Sequence, residues 1–74
     1  MKNYAVAQFA IAEINVNGEG VRVNPVEAYF WATLATKNKL KSAKSLLEKL
    51  EVELSEEDKQ AQIKRAEKWL AKYK

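Results

Sequence analysis

The strongest helix-breaking residues of this chain are confined to one short tract. Its two glycines and its only proline are Gly18, Gly20 and Pro25. Because glycine and proline interrupt regular structure more strongly than other residues, one well-defined loop is expected between positions 17 and 25. The remainder of the 74-residue chain is free to form helices. A chain of this length forms one small domain, here positions 1–74, whose core supplies only about 3–5 kcal/mol.

Two residue types that carry much of enzyme chemistry are missing. The chain has no cysteine and no histidine, which excludes disulfides, thiolate metal sites and the usual general base. No nucleophile with a base and an orienting group can be assembled without them, so we expect no enzyme, no catalytic residue, no metal and no cofactor. Hydrophobic residues make up 47% and charged residues 31%, which is typical of a folded globular chain.

The first predicted helix spans about positions 3–15. Its apolar side chains lie on more than one face, which is typical of a helix buried on several sides. The tract Asn17-Gly18-Glu19-Gly20 ends it, because glycine accepts the positive φ needed just past a helix end. One set of these apolar side chains is Val6, Phe9, Ala10 and Ile14, and another is Ala5, Ala12 and Val16, the last just past the predicted end.

The same tract allows a second interpretation. An Asn-Gly dipeptide is also typical of a β-hairpin, whose strands would here be 14–16 and 21–23. Each strand would be only three residues long, and no other segment of the chain predicts a strand that could support them. A helix that ends in a glycine turn is therefore the favoured interpretation.

The second predicted helix, 24–37, has the clearest start. Asn24 is a predicted N-cap, Pro25 suits the first helical position, and Glu27 at the third position completes a capping box. Three consecutive aromatic residues, 29–31, point about 100° apart around the helix. They cannot all face one neighbour, so this helix is expected to contact helices on two sides.

The third and fourth predicted helices, 40–53 and 55–73, are amphipathic. Ser55 is the predicted N-cap of the fourth helix, with acidic residues at 56–58 near the positive end of its dipole. Each helix carries one apolar stripe with helical spacing and a charged opposite face. The stripes are Ala43, Leu46, Leu47, Leu50 and Leu54 in the third helix, and Ile63, Ala66, Leu70 and Tyr73 in the fourth.

Positive charge is concentrated in the second half of the chain. The chain carries a net charge of +3, and no acidic residue interrupts a patch of four lysines between the second and third helices. Such a patch can meet phosphate or an acidic partner, so a small basic nucleic-acid-binding protein is the alternative function, although nucleic acid is the less favoured partner. The patch consists of Lys37, Lys39, Lys41 and Lys44, and Lys64, Arg65 and Lys68 are candidates to extend it.

A shift of 36 residues aligns part of the chain with itself. It places Ala7 on Ala43, Ile11 on Leu47 and Ile14 on Leu50, so the first and third helices look like one position in successive units. Periods of this size are typical of helix-hairpin solenoids.

Over about residues 5–50 the chain resembles the Sel-one-like repeats, relatives of the tetratricopeptide repeats. The family pattern has an Ala-Gln pair, an apolar and a small residue, a Gly-x-Gly-Val turn, an Asn or Asp cap, Ala-x-x-Trp, a small pair and a further alanine. The family's glycine after the first helix of a hairpin corresponds to Lys39 here. The matching residues are Ala7-Gln8, Ile11, Ala12, Gly18-Glu19-Gly20-Val21, Asn24, Ala28-Tyr29-Phe30-Trp31, Ala35-Thr36 and Ala43.

The resemblance implies an all-α fold. We expect a four-helix fragment of a right-handed α/α superhelix, a tetratricopeptide-like solenoid of about one and a half repeats. Glu48 and Glu51 replace the family's small and aromatic residues, so the fourth helix looks like a C-terminal cap. Trp31 is expected to fill the gap between neighbouring hairpins, and Gly18 and Gly20 to form the turn. The other predicted structural positions are Ala7, Ala12, Asn24, Pro25, Ala28, Ala35, Ala43 and Leu47.

Without chemistry of its own, the chain is predicted to be a protein-binding module, such as an adaptor or an inhibitor or immunity-type protein. The resemblance implies that first-helix positions line a concave surface, which here means Glu27, Tyr29, Phe30 and Thr33. The first predicted helix would be the second half of a hairpin whose partner is missing before Met1, so apolar side chains on it should lie uncovered. Those counted as partner-binding are Tyr4 and Phe9; Val6 and Ile14 are further candidates for exposure.

The partner is expected to be a protein, and a homodimer that pairs two first helices is an alternative. Gln8 and Glu13 interrupt the apolar start of the chain and no small-residue cleavage site follows, so a helix is favoured over a signal peptide. The apolar run is too short and too polar to span a bilayer. These features predict a cytoplasmic location and no membrane partner.

Overall fold

Four α-helices make up most of the computed structural model, which describes residues 4–18, 20 and 22–72. None of these described residues forms a strand, so the predicted all-α fold is confirmed and the hairpin alternative, with 14–16 as a strand, is wrong. The predicted ends at 3 and 73 lie outside the described residues. The helices are α1 (Tyr4–Asn17), α2 (Pro25–Lys37), α3 (Lys41–Glu53) and α4 (Glu56–Lys72).

α1 ends two residues later than its sequence predicts. Asn15, the predicted last residue, lies within the helix, and its side-chain Nδ2 donates a hydrogen bond to the carbonyl of Ile11 at 2.9 Å. The Gly18 N–H donates to the carbonyl of Ile14 at 2.8 Å, and Gly18 has a φ of 72°. With Gly20 at a φ of 77°, both glycines adopt the left-handed conformation that the turn was expected to require.

The starts of α2 and α4 are capped at the predicted residues. Asn24 Oδ1 accepts a hydrogen bond from the Glu27 N–H at 3.1 Å, and Ser55 Oγ accepts one from the Asp58 N–H at 3.1 Å. The return bond of the predicted capping box does not form. Instead the Asn24 N–H donates to the carbonyl of Asn15 at 2.8 Å, which ties the start of α2 to the end of α1 and leaves the Glu27 carboxylate available elsewhere.

α2 ends in a Schellman motif built around a lysine. The Leu40 N–H donates to the carbonyl of Ala35 at 3.1 Å, and the Lys39 N–H donates to that of Thr36 at 2.9 Å. Lys39 therefore occupies the position just past the helix end, where its φ is 70°. Glycine is favoured at this position, and Lys39 stands where the resembled family has one.

α2 lies at the centre of the fold, because α1, α3 and α4 all pack closely against it. The expectation that α2 contacts helices on two sides is therefore confirmed. The core has two clusters, and both contain α2 side chains. The first joins α2 to α1 and α3 through Ala12, Ala28, Tyr29, Ala32 and Leu50, with Leu47 packed against it. The second joins α2 to α4 through Phe30, Leu34 and Ala66.

Small residues permit the close approach of α1 and α3 to α2. Ala12, Ala28, Ala35 and Ala43 are fully buried, as their predicted structural role requires. Ala7 does not share this role, because it is exposed.

The two segments aligned by the 36-residue shift lie in different environments. Ala7 is exposed whereas Ala43 is buried, and Ile14 is exposed whereas Leu50 is buried. α3 and α1 therefore use equivalent sequence positions differently, and the superhelical arrangement stays a prediction. No helix in the described ranges is long and apolar enough to cross a membrane.

Substitution of Lys39 by glycine is expected to stabilise the protein by about 1 kcal/mol, because a side chain in the left-handed conformation costs about 1–2 kcal/mol. Thermal or urea unfolding monitored by circular dichroism measures the change. Lys44→Gly is the control: it lies within α3 and should lower the free energy of unfolding by about 0.5–1 kcal/mol. A Lys39→Gly variant less stable than the parent would contradict this account of the turn.

Candidate binding surface

One side of α1 is apolar and uncovered. The exposed fractions are 49% for Tyr4, 56% for Val6 and 37% for Ile14. At about 100° per residue these side chains share one half of the helix circumference, while the buried Gln8 and Ala12 lie on the other half. We call the exposed half the α1 face; its residues are Tyr4, Val6, Ala7, Ala10 and Ile14.

Phe9 is not part of the α1 face. It was predicted to bind a partner, but its side chain is half-buried. It lies five positions from both Tyr4 and Ile14, so at about 100° per residue it points well away from these two exposed side chains. The sequence pattern could not separate Phe9 from Tyr4, because α1 is apolar nearly all round.

A pocket of about 480 Å³ opens beside the α1 face. Three helices form it, since α1 and α4 both lean on α2 without packing closely against each other. None of the described residues that line it carries a charge. They are Tyr4, Ala7, Gln8 and Ile11 from α1, Trp31 from α2 and Trp69 from α4.

Trp31 serves both the core and the pocket. It was predicted to fill a gap between helices, and its half-buried side chain packs against both core clusters. Its ring meets Phe30 edge to face, with centroids 5.0 Å apart. Its Nε1 donates a hydrogen bond to Glu27 Oε2 at 3.2 Å, which fixes the orientation of the indole.

Gln8 places an unpaired donor in this apolar setting. Its side chain is only 3% exposed, and its Oε1 accepts a hydrogen bond from Asn38 Nδ2 at 2.9 Å. Among the described residues its Nε2 has no hydrogen-bond partner. A buried donor without an acceptor costs about 1–3 kcal/mol. The sequence marked Gln8 only as part of the Ala-Gln pair; its position as the one polar residue between 4 and 12 was the available signal.

Glu27 is committed to a contact within the protein. Both of its carboxylate oxygens accept from Arg65 of α4, Oε1 from Nη1 at 2.9 Å and Oε2 from Nη2 at 3.1 Å. The Arg65 guanidinium also lies over the Phe30 ring, 3.8 Å from its centroid. The hydrogen bonds from Arg65 hold the pKa of Glu27 below its usual value of 4.5, although partial burial opposes the shift. Glu27 was predicted to contact a partner, and in this structure its carboxylate is already bound by Arg65 of α4.

The other three predicted contact residues of α2 have little exposed surface, although Tyr29 and Thr33 line the depression between α2, α3 and α4. Their assignment to a partner-binding surface stays a prediction. Tyr29, Phe30 and Thr33 are buried because α1, α3 and α4 pack around α2. Tyr29 Oη donates to Glu51 Oε2 at 3.3 Å, and burial is the main cause that raises the pKa of this phenol. Thr33 Oγ1 donates to the carbonyl of Tyr29 at 2.7 Å.

The four patch lysines are exposed, but the structure does not bring them all together. Lys39, Lys41 and Lys44 line one shallow depression with Thr36 and Leu40 at the start of α3. Lys37 lines a different depression, between α2, α3 and α4. The described part of the chain gives none of the four an ion pair.

The acidic residues do not form a metal site in the described ranges, where no group of three or more potential ligands could hold an ion. Glu56, at the start of α4, instead pairs with Lys59 at 3.3 Å.

Comparisons with protein-family models, with curated proteins and with solved structures find no significant match to this chain. The resemblance to Sel-one-like repeats therefore rests on the residues that carry it and stays a prediction.

The Glu27–Arg65 pair is expected to contribute at most about 1 kcal/mol, because both side chains are partly exposed. Since the folded-state pKa is lowered, this contribution is full above the unfolded pKa and is lost as the pH falls through the folded pKa. Glu27→Gln should therefore reduce stability at pH 7 and lose most of that difference near pH 3. Urea unfolding across this range measures it. Glu48→Gln, on the exposed face of α3, is the control and should show no comparable trend; a constant difference for Glu27→Gln would contradict the assignment.

Phe30→Ala is expected to lower the free energy of unfolding by about 3–5 kcal/mol, enough to unfold a domain of this size. The reason is that the ring belongs to the buried cluster between α2 and α4. Val52→Ala is the control, because Val52 is 87% exposed and its loss should change stability by less than about 0.5 kcal/mol. A Phe30→Ala protein that stays folded with unchanged stability would make Phe30 a surface residue after all.

Proposed function

We propose that this chain is a non-catalytic protein–protein interaction module, of the adaptor or the inhibitor or immunity type. It uses the α1 face and the adjoining pocket, and the observation that carries the proposal is the exposed apolar half of α1. Contiguous apolar surface of this kind marks interaction sites on soluble proteins. Glu13 is the only charged residue of α1, so the helix carries little charge that would resist desolvation.

The geometry suits a protein partner. The α1 face is held on α2 by the buried Ala12 and by the Asn15–Asn24 and Gln8–Asn38 hydrogen bonds, so little of it needs to be ordered on binding. Tyr4 supplies an aromatic ring at the rim of the pocket, and aromatic side chains are enriched among residues that dominate binding energy. The resemblance to Sel-one-like repeats implies the same class of function, and a cytoplasmic location belongs to the same proposal.

A second copy of the chain is one partner that the α1 face could take. Light scattering over a range of concentrations tests it, because the mass would rise from 8.4 kDa towards twice that value. A constant mass would leave a different protein as the partner.

The double variant Val6→Gln, Ile14→Gln is expected to fold normally and to lose its partner. Both side chains are exposed, and glutamine has a better helix propensity than valine or isoleucine. Capture of proteins by the immobilised parent, followed by mass spectrometry, identifies the partner. Val52→Gln is the matched control, since it makes the same kind of change at an exposed position of α3.

The result expected is one protein retained by the parent and by Val52→Gln but lost from the double variant. Circular dichroism shows whether all three are equally folded. If every protein captured by the parent also binds the double variant, the α1 face is not the binding surface.

Nucleic-acid binding is the second candidate function, and the observation that favours it is the convergence of Lys39, Lys41 and Lys44 on one depression. Binding of this kind weakens steeply as salt displaces the protein from phosphates. Retention on DNA or RNA at low salt, lost in Lys41→Ala with Lys44→Ala, would support it. Absence of retention at low salt would remove it.

A further inference from the structure

We infer that the depression at the start of α3 is a second interaction surface, which binds an acidic segment of a protein partner. Carboxylates of that segment pair with Lys39, Lys41 and Lys44, and one aliphatic side chain between them lies on Leu40. The depression shares no lining residue with the pocket beside the α1 face, so this inference goes beyond the proposed function and is tested independently of it.

The three lysines occupy positions that are unfavourable for stability. Lys39 has a φ of 70°, where glycine is favoured. Lys41 and Lys44 lie in the first turn of α3, which has no acidic residue and is the positive end of the helix dipole. Among the described residues none of the three has an ion pair. Residues that break a local rule without a compensating contact are expected at functional sites.

These lysines also share one place on the surface. All three line the same depression, together with Thr36 and Leu40. Exposed cations around one depression repel each other, and interfaces set such a positive patch against a negative one. Because the described residues do not supply that negative charge, the complement is an anionic group from another molecule.

The centre of the depression is apolar. The surface within it is mainly apolar, which is the surface that a leucine and the hydrocarbon stems of lysines form while the ammonium groups stay in water. Its volume of about 270 Å³ is below the range of about 300–1,000 Å³ for sites that enclose a small molecule, so it has room for one side chain of a longer partner. The depression therefore combines an apolar centre with a basic rim.

A protein segment fits this combination better than a nucleic acid does. Single strands are held by basic grooves that follow the phosphate backbone and by aromatic rings on which bases stack. The described lining has no aromatic residue, and Lys37 lines a different depression. Further along α3 the exposed charges become mixed at Glu48 and Lys49, so no basic track continues along this helix. An aliphatic residue flanked by carboxylates supplies both groups that the depression can hold.

Three blocked pentapeptides test the inference, each titrated into the full chain while nuclear magnetic resonance follows the backbone amides. They are acetyl-Glu-Glu-Leu-Glu-Glu-amide, the same peptide with glutamine for every glutamate, and the same peptide with glycine for leucine. The acidic leucine peptide should shift the amide signals of Leu40, Lys41 and Lys44 in a saturable way. The other two should bind at least about fivefold more weakly, because one lacks the ion pairs and the other the apolar side chain.

Lys39→Gly separates binding from stability, because it should stabilise the fold yet bind the acidic leucine peptide about two- to fivefold more weakly, the effect of one exposed ion pair. Lys41→Gln with Lys44→Gln should weaken binding further, and glutamine keeps the helix propensity of lysine. Lys64→Gln with Lys68→Gln is the matched control. It makes the same change of charge at exposed positions of α4 outside the depression and should leave the affinity unchanged.

Equal binding by Lys39→Gly and the parent would overturn the inference, and so would equal binding of the leucine and glycine peptides. Equal weakening by the two double variants would also overturn it, since the peptide would then respond only to net charge. A ten-nucleotide oligothymidylate is the rival ligand: if it shifts the same amides at lower concentration than the leucine peptide in the same salt, the depression is a nucleic-acid site and the inference is wrong. None of these results bears on the α1 face, which the Val6→Gln, Ile14→Gln variant tests.

Discussion

The packing of three helices around α2 is the constraint on which the rest of the structure depends. α2 carries aromatic residues that point in different directions, and burial of these side chains requires neighbouring helices on more than one side. α1 and α3 approach along the small side chains of Ala12 and Ala43, while α4 covers Phe30. Because one central helix takes all three neighbours, the outer helices pack more closely against α2 than against one another.

That arrangement explains why the candidate binding surface lies on α1. α3 and α4 have charged outer sides, and contact within the fold buries Ala43, Leu50 and Ala66 of their apolar stripes. α1 is apolar nearly all round, and contact with α2 on one side leaves Tyr4, Val6 and Ile14 in solvent. The pocket has the same origin, because α1 and α4 diverge from the shared support of α2 and leave Trp31 as a wall between them.

The features that sequence predicted correctly are those decided within a few residues. The caps at Asn24 and Ser55 and the left-handed Gly18 depend on neighbours three or four positions away. The binding site depends on contacts between distant segments, which a local sequence pattern does not show. Tyr29 and Phe30 were assigned to a concave surface from a family pattern, but α3 and α4 cover them. Gln8 was missed because Asn38, the side-chain hydrogen-bond partner that the described residues give it, lies thirty residues away.

Glu27 and Gln8 show two outcomes for a polar side chain placed between apolar helices. Glu27 gives up the return bond of its capping box, and its carboxylate gains three hydrogen bonds, two from Arg65 and one from Trp31. Gln8 gains one bond, to the exposed Asn38, which water could satisfy equally well. An apolar side chain of the same length would fill the same space without an unpaired donor. Stability therefore does not account for the amide of Gln8.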